Sequence, residues 1–456
     1  MSRLFSSNGI RNVAITKLTC ELVWQIGRAV TAVLDLHTGE PPEILIAKDT
    51  RISSDILEAS LCAGICSAGG NAGRLGILPA SATAYLAKKH NAEAGIMISA
   101  SHMSADFNGI RIFSRNGLSM SEHFIEEIES LILDRPEELP LCSGTKSGRM
   151  SDMPDSKLLY LRHLQKAVGG TLNGLKIAVD CANGSASGIA KEFYSALGAE
   201  VVLLNASPDG RNINLKCGSE YMPKLMDFIT EHPDCHAGIA FNGDASRCLA
   251  VDENGKLVDG DQILAILADD YQKQNQLRHD ALVMTSVSNL GLTAFAKEHK
   301  IRRIVSNAGD ISVLEQMQEN GCVLGGEPNG QILFLKDAPV SDGLLIGAKL
   351  LEILSRRKQK FSTLASIMHK YPSVMMSVRI PDCYRENWKN DRQLTDFIEH
   401  QEHLLGSAGR VLVRENSSDS AIRILAEGDN FKQLNQIVTA IASEIRERIT
   451  VEERKT

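Results

Sequence analysis

The sequence predicts an α/β protein, with three similar mixed-sheet α/β domains followed by a smaller C-terminal α+β domain around a central cleft. Three observations carry this expectation. Short apolar strand patterns alternate with helical patterns along most of the chain, the alternation restarts after polar stretches, and beyond residue 360 strands predominate.

The first block alternates EILIAKD (Glu43–Asp49), an amphipathic run Ser53–Ala68, RLGIL (Arg74–Leu78), a helix over Ala80–Lys89 and the apolar run Ala94–Ile98. That order is the pattern of a mostly parallel sheet covered by helices. The polar stretch Arg135–Ser156, with its Pro, Ser and Gly residues, marks a boundary. A second block follows with LKIAVD (Leu175–Asp180), helix Gly188–Leu197, AEVVLL (Ala199–Leu204) and HAGIAF (His236–Phe241). A third has ALVMTSV (Ala281–Val287), helix Leu292–His299, RRIVS (Arg302–Ser306), QILFL (Gln331–Leu335) and helix Leu344–Arg356. The last unit has SVMMSVRI (Ser373–Ile380), helix Asp391–Leu405, RVLVRE (Arg410–Glu415), AIRILAE (Ala421–Glu427) and a terminal helix from Phe431. The domains expected are 1–150, 151–250, 251–362 and 363–456.

At 456 residues, 43% hydrophobic and 23% charged, the chain is long enough for several cores. The net charge is −7 with scattered basic residues, so no basic stripe points to nucleic acid. The ten cysteines form no CxxC pairs, which argues against zinc and against a disulfide framework. No apolar stretch reaches the roughly 18 residues of a membrane span, and the N-terminus does not resemble a signal peptide. A cytoplasmic protein is expected.

Four loops follow strand ends: SASHMSADFNG (99–109), FNGDASRCL (241–249), GGEPNGQ (325–331) and RENSSDSAIR (414–423). In open α/β sheets ligands collect at such ends. Taken alone, Ser101 is a turn residue before it is a nucleophile, since Ser commonly caps turns. Asn242, Asp244 and Ser246 alternate and could face one cation, but with one carboxylate among them a capped turn is the better isolated reading. Glu327 could accept sugar hydroxyls or sit in an ordinary β-turn. Arg414 and Arg423 flank Ser417 and Ser418, a set able to hold a phosphate, or equally a solvated hairpin.

Together these segments, with NGIR (8–11), KDTRISSDILEASLCAG (48–64), DCANGSASGIA (180–190), AVDENGKLVDGDQILA (250–265) and SDGLL (341–345), resemble the α-D-phosphohexomutase superfamily, most closely its bacterial phosphoglucosamine mutases. The similarity runs the full length in order. It implies four domains around a cleft, and a phosphoserine that passes its phosphate to one end of a sugar phosphate and takes one back from the other, through a bisphosphate. Ser101 matches that serine, His102 its neighbouring histidine, and Arg11 an arginine near the phosphate. The resemblance also implies Mg²⁺ held by Ser101, Asn242, Asp244 and Ser246. It places Glu327 and Asn329 on the sugar loop, Arg247 among the substrate-binding residues, and Arg414, Ser417, Ser418 and Arg423 on the loop that grips the non-reacting phosphate. A hexose or hexosamine phosphate is the implied partner, and a homodimer the implied assembly.

The departures from the family pattern fall in the functional loops. NGDASR stands for DGDADR, so two of three carboxylates are replaced and Mg²⁺ binding should weaken, although Asn and Ser oxygens can still coordinate. SASHMS stands for SASHNP. Arg111 replaces a lysine suited to proton transfer, and a guanidinium is a poor base. GEPNGQ replaces GEQSGH, and RENSSDS replaces RPSGTEP. Three functions are compatible with this pattern. One is an active phosphoglucosamine mutase. Another is a catalytically impaired paralogue that binds a sugar phosphate or a protein, and the third is a phosphomannomutase or phosphoglucomutase.

Overall fold

Apolar runs buried on both faces set the strands that organise the molecule. The computed structural model describes all residues except 1–3, 7–8, 39, 382–387, 407–408, 417–420 and 454–456. The first sheet contains β1 (Ile10–Val13), β2 (Glu43–Lys48), β3 (Asn71–Ile77), β4 (Ala94–Ile98), β5 (Phe107–Ser114) and β6 (Met150–Asp152), in the order β1-β5-β4-β2-β3-β6. Strands β4, β2, β3 and β6 run parallel, whereas β5 and β1 add antiparallel at one side. The polar stretch 135–156 is therefore more than a linker, because its β6 extends this sheet. All five residues of β4 are buried, so its continuous apolar pattern has a direct cause.

Helices α1 (Cys20–Thr38), α2 (Ile52–Ser67), α3 (Ala80–His90) and α4 (Glu122–Leu133) accompany this sheet. The first two approach closely at glycines. A Cβ on Gly64 would stand 2.2 Å from Trp24 O, and one on Gly27 2.6 Å from Leu61 O. Ile26, Val30, Leu57, Leu61, Ile96 and Ile112 share the core beneath, each buried aliphatic contributing about 1.5–3 kcal/mol.

The second sheet takes α5 (Ser156–Val168), β7 (Lys176–Asp180), α6 (Ala190–Ala196), β8 (Glu200–Leu204), α7 (Pro223–Glu231), β9 (Ala237–Phe241), β10 (Cys248–Val251) and β11 (Leu257–Val258), with strand order β11-β10-β9-β7-β8. Strands β9 and β10 pair antiparallel from Phe241 opposite Cys248, which presents residues 242–247 as their connecting turn. In the third, α8 (Gly260–Lys273) starts from a capping box between Asp259 and Gln262. Then come β12 (Ala281–Thr285), α9 (Leu290–Glu298), β13 (Arg302–Ser306), α10 (Asp310–Asn320), β14 (Leu324–Gly326), β15 (Ile332–Phe334), α11 (Gly343–Arg357) and α12 (Phe361–Ala365), with strand order β13-β12-β14-β15.

The C-terminal segment has β16 (Ser373–Arg379), α13 (Arg392–His403), β17 (Arg410–Asn416), β18 (Ala421–Glu427) and α14 (Phe431–Glu453), its sheet antiparallel in the order β16-β18-β17. Its core shows both periodicities. Ile422, Ile424 and Ala426 alternate along β18, and Leu434, Ile437, Val438, Ile441 and Ile445 repeat at helical spacing along α14.

The chain divides into two compact units, one of residues within 1–286 and 301–367 and another of residues within 287–300 and 368–456. Helix α9 thus belongs to the second unit. Asn289 caps it at Gly291 N, while its amide donates to Tyr371 O at 3.0 Å and Glu427 Oε1 at 3.1 Å. Among the described residues nine cysteines are free thiols, and no helix is long and apolar enough to cross a membrane.

Candidate active site

Ser101 lies just past the end of β4 with φ +55°, a left-handed conformation that costs a non-glycine residue about 1–3 kcal/mol unless its surroundings enforce it. They do so from several sides. Ser101 N donates to Ser99 Oγ at 2.9 Å, and Ser99 Oγ donates to Asp49 Oδ2 at 2.5 Å. Asp49 is ion-paired with Arg51, both fully buried, and Arg51 Nη2 donates to Met103 O at 2.6 Å. From the second sheet's segment, Asn214 Nδ2 donates to Ser101 O and to Met103 O, each at 2.9 Å.

The turn Asn242–Arg247 packs directly on this serine. A Cβ on Gly243 would stand 2.7 Å from Ser101 O, so glycine is what permits the approach. Asn242 Oδ1 accepts the Arg247 backbone N–H at 2.9 Å. Since a backbone N–H can only donate, this bond fixes the amide's orientation. Its Nδ2 then faces Ser101 Oγ at 2.9 Å, Asp244 Oδ1 at 2.9 Å and Ser246 Oγ at 3.3 Å. Ser246 donates to Asp244 Oδ1 from both its Oγ, at 2.7 Å, and its backbone N, at 3.1 Å. Burial raises the Asp244 pKa, but the Ser246 hydroxyl, the Arg11 charge and the Ser246 backbone N–H outweigh it and hold this carboxyl below its usual range.

Three arginines surround these groups. Arg111 Nη2 bonds Asp310 Oδ2 and Ser119 Oγ, both at 2.8 Å, and Arg247 Nη1 bonds Glu220 Oε1 at 2.6 Å. Among the described residues the Arg11 guanidinium has neither hydrogen bond nor ion pair, yet it lies close enough to Asp244, Arg111, Arg247 and Asp310 to feel their charges. Burial, helped by Arg247, pushes the His102 pKa down to about 4, so the imidazole is neutral at neutral pH.

Glu327 is buried in a tight turn, accepting from Gly309 N at 3.1 Å and Asn329 Nδ2 at 3.3 Å. Asn329 also takes the Gln331 N–H at 2.9 Å. Both residues therefore shape the turn with the groups assigned to a sugar. In the second unit Arg414 stands directly across from Arg423 in the β17–β18 register, which puts both side chains on one face. Ser417 and Ser418 lie outside the described residues.

The first unit thus brings together Arg11, Ser101, His102, Arg111, Asn242, Asp244, Ser246 and Arg247. Sequence reasoning did not single out Asp49, Arg51, Asn214, Asp310 or Glu220. Asp49 was findable, because it follows β2, the parallel neighbour of β4, and so shares the sheet edge with Ser101. Asn214 gave no such signal.

The expected Mg²⁺ set does not fit this geometry. A divalent cation needs converging oxygens, and here an amide nitrogen stands among those of Ser101, Asp244 and Ser246. The Asn242 oxygen, expected to face a cation, accepts the Arg247 N–H instead. Among the described residues no three His, Cys, Asp or Glu side chains could hold a metal ion.

Family models described as phosphoglucomutase/phosphomannomutase, alpha/beta/alpha domains I, II and III, match residues 2–138, 159–255 and 259–371. A phosphoglucosamine mutase of Acetivibrio thermocellus is 42% identical over 98% of this chain and 100% of its own length. One from Clostridium novyi is 41% identical over 98% of this chain and 99% of its own length. In fold, a phosphoglucomutase/phosphomannomutase family protein of Burkholderia thailandensis aligns with a TM-score of 0.78 at 23% identity, covering 95% of this chain and 96% of its own. The Aspergillus fumigatus N-acetylphosphoglucosamine mutase, solved with GlcNAc-6P and magnesium, aligns with a TM-score of 0.70 at 16% identity, covering 98% of this chain and 96% of its own. None of these similarities supports a non-catalytic paralogue. With relatives at such identity over nearly its whole length and three matching domain models, the chain belongs to the phosphoglucomutase/phosphomannomutase family, the α-D-phosphohexomutases, which are intramolecular phosphotransferases.

Proposed function

We propose that this chain interconverts glucosamine 6-phosphate and glucosamine 1-phosphate, with Ser101 carrying the phosphoryl group and a sugar bisphosphate as the intermediate. The observation that carries the reading is the Ser101 hydroxyl, held in a left-handed turn and joined through the Asn242 amide to Asp244, near which lies Arg11, an arginine without a partner among the described residues. A phosphate on Ser101 would bring a charge of about −2 to this place, and Arg11 is available to meet it without giving up another bond. Asp244, ionised and linked to the serine hydroxyl through the Asn242 amide, is the carboxylate in place to take its proton when Ser101 attacks phosphorus and to return it when phosphate leaves.

The remaining roles follow from the charges. Arg111 cannot act as a base, and its bond to Asp310 makes it a fixed positive wall. Neutral His102 adds no charge that would compete for the phosphate. Glu327 and Asn329 bind the sugar through the turn they build, and Arg247 contacts the sugar phosphate. Arg414, Arg423, Ser417 and Ser418 take the non-reacting phosphate. Free cysteines suit a reducing cytoplasm.

A coupled assay tests the reading. Primed with a hexose 1,6-bisphosphate, the protein should convert glucosamine phosphate with a higher kcat/KM than mannose or glucose phosphates. Preference for either of the latter would reassign the sugar, and no turnover of any of them would defeat the proposal.

A further inference from the structure

The Asn242 amide cannot turn around without cost. Rotating it would remove the acceptor from the Arg247 N–H, and a buried donor left unsatisfied costs about 1–3 kcal/mol. It would also place Oδ1 against the Asp244 carboxylate, oxygen to oxygen. The nitrogen therefore stays among Ser101 Oγ, Asp244 Oδ1 and Ser246 Oγ, the oxygens a cation on this turn would have to bind.

We propose that the Asn242 amide takes the place of a divalent cation at Ser101, so that this protein transfers phosphoryl groups without a metal. The inference rests on Ser101 being the phosphoryl carrier. When phosphoserine donates, the bond from Ser101 Oγ to phosphorus breaks as a bond from the sugar hydroxyl oxygen to phosphorus forms. Negative charge grows on Oγ, and the proton lost by the sugar hydroxyl ends there through Asp244. The Asn242 N–H points at that oxygen and strengthens its bond as the charge develops, which is the condition for stabilising a transition state. Arg11 supplies the full positive charge that an amide lacks.

The substitution has a built-in reversal. In Asn242→Asp one carboxylate oxygen still accepts the Arg247 N–H, and the other replaces the nitrogen. Four oxygens then converge with nothing between them, which is a cation site.

Manganese(II) titration followed by EPR reads this without turnover. The wild-type protein should show no saturable site into the millimolar range, and Asn242→Asp should gain one at least about tenfold tighter. Phosphoryl transfer by the wild type after EDTA treatment should stay within about twofold of its rate with Mg²⁺, whereas Asn242→Asp should need the metal. A wild-type protein that binds one Mn²⁺ as tightly as the variant, or that loses activity to EDTA and regains it with Mg²⁺, overturns the proposal. A protein inactive with and without metal instead defeats the phosphotransferase reading, and the manganese titration still decides whether the turn excludes a cation.

Discussion

The two turns that meet at Ser101 are both gripped at their backbone carbonyls by other segments, and they differ in what their own side chains do. The serine turn is gripped from outside, by Arg51 and Asn214, at the backbone carbonyls of Ser101 and Met103. The Asn242–Arg247 turn is also gripped from outside, by Ser185 N at Gly243 O, Ala80 N at Asp244 O, Gly343 N at Ala245 O and Ser341 Oγ at Ser246 O, but its own Asn242, Asp244 and Ser246 side chains bond across it as well. Replacing side chains in the first leaves its grip intact, so Met103 and Ser104 can depart from the family pattern with little consequence. In the second the turn's own side chains are part of both the scaffold and the chemistry, so one amide for a carboxylate rewires the site.

The largest effect expected from breaking this pair is Ser101→Ala, which should lower kcat by at least about 10³-fold, far more than the modest loss of stability from removing one buried acceptor of the Asn242 amide. Next, Asn242→Ala should reduce kcat about 10²-fold with KM little changed, the mark of a bond that strengthens only in the transition state. Equal losses in kcat and stability would make Asn242 a structural cap alone. On the serine turn, Arg51→Ala leaves Asp49 buried without its ion pair, and urea unfolding should report a loss of about 3–5 kcal/mol.

What the sequence made legible and what it hid divide along the same line. Strands β4, β13 and β18 were readable to the residue, because apolar runs and alternation are local signals. Helix α1 and strand β5 went unassigned. The first packs through Gly27, a residue that weakens a helical pattern, and the second mixes Asn108, Gly109 and Arg111 into its apolar run. In the site, Ser101, Asp244 and their arginines stood out by resemblance. The direction in which the Asn242 amide points did not, since an amide carries a donor and an acceptor and only the Arg247 N–H decides between them. The Asp49–Arg51 grip and Asn214 act across about 50 and 110 positions, a range at which composition and spacing say little.

Two smaller effects sharpen the contrast. The His102 pKa is depressed to about 4 in the folded protein against about 6.5 unfolded. The stability it contributes is therefore complete above pH 6.5 and is lost as pH falls toward 4. Urea midpoints of the wild type should drop more between pH 7 and 4.5 than those of His102→Gln; parallel curves would mean that the imidazole is freely protonated in the fold. The smallest change expected is Met103→Asn, within about 0.5 kcal/mol and twofold in kcat, because the turn is held at its carbonyls.

Peptide mapping by mass spectrometry, after incubation with a hexose 1,6-bisphosphate, tests the central claim most directly. The account predicts one phosphoryl group on the peptide containing Ser101, removed on addition of sugar monophosphate and missing from Ser101→Ala. A catalytically active protein whose Ser101 stays unmodified, or whose phosphate sits on another residue, would contradict it.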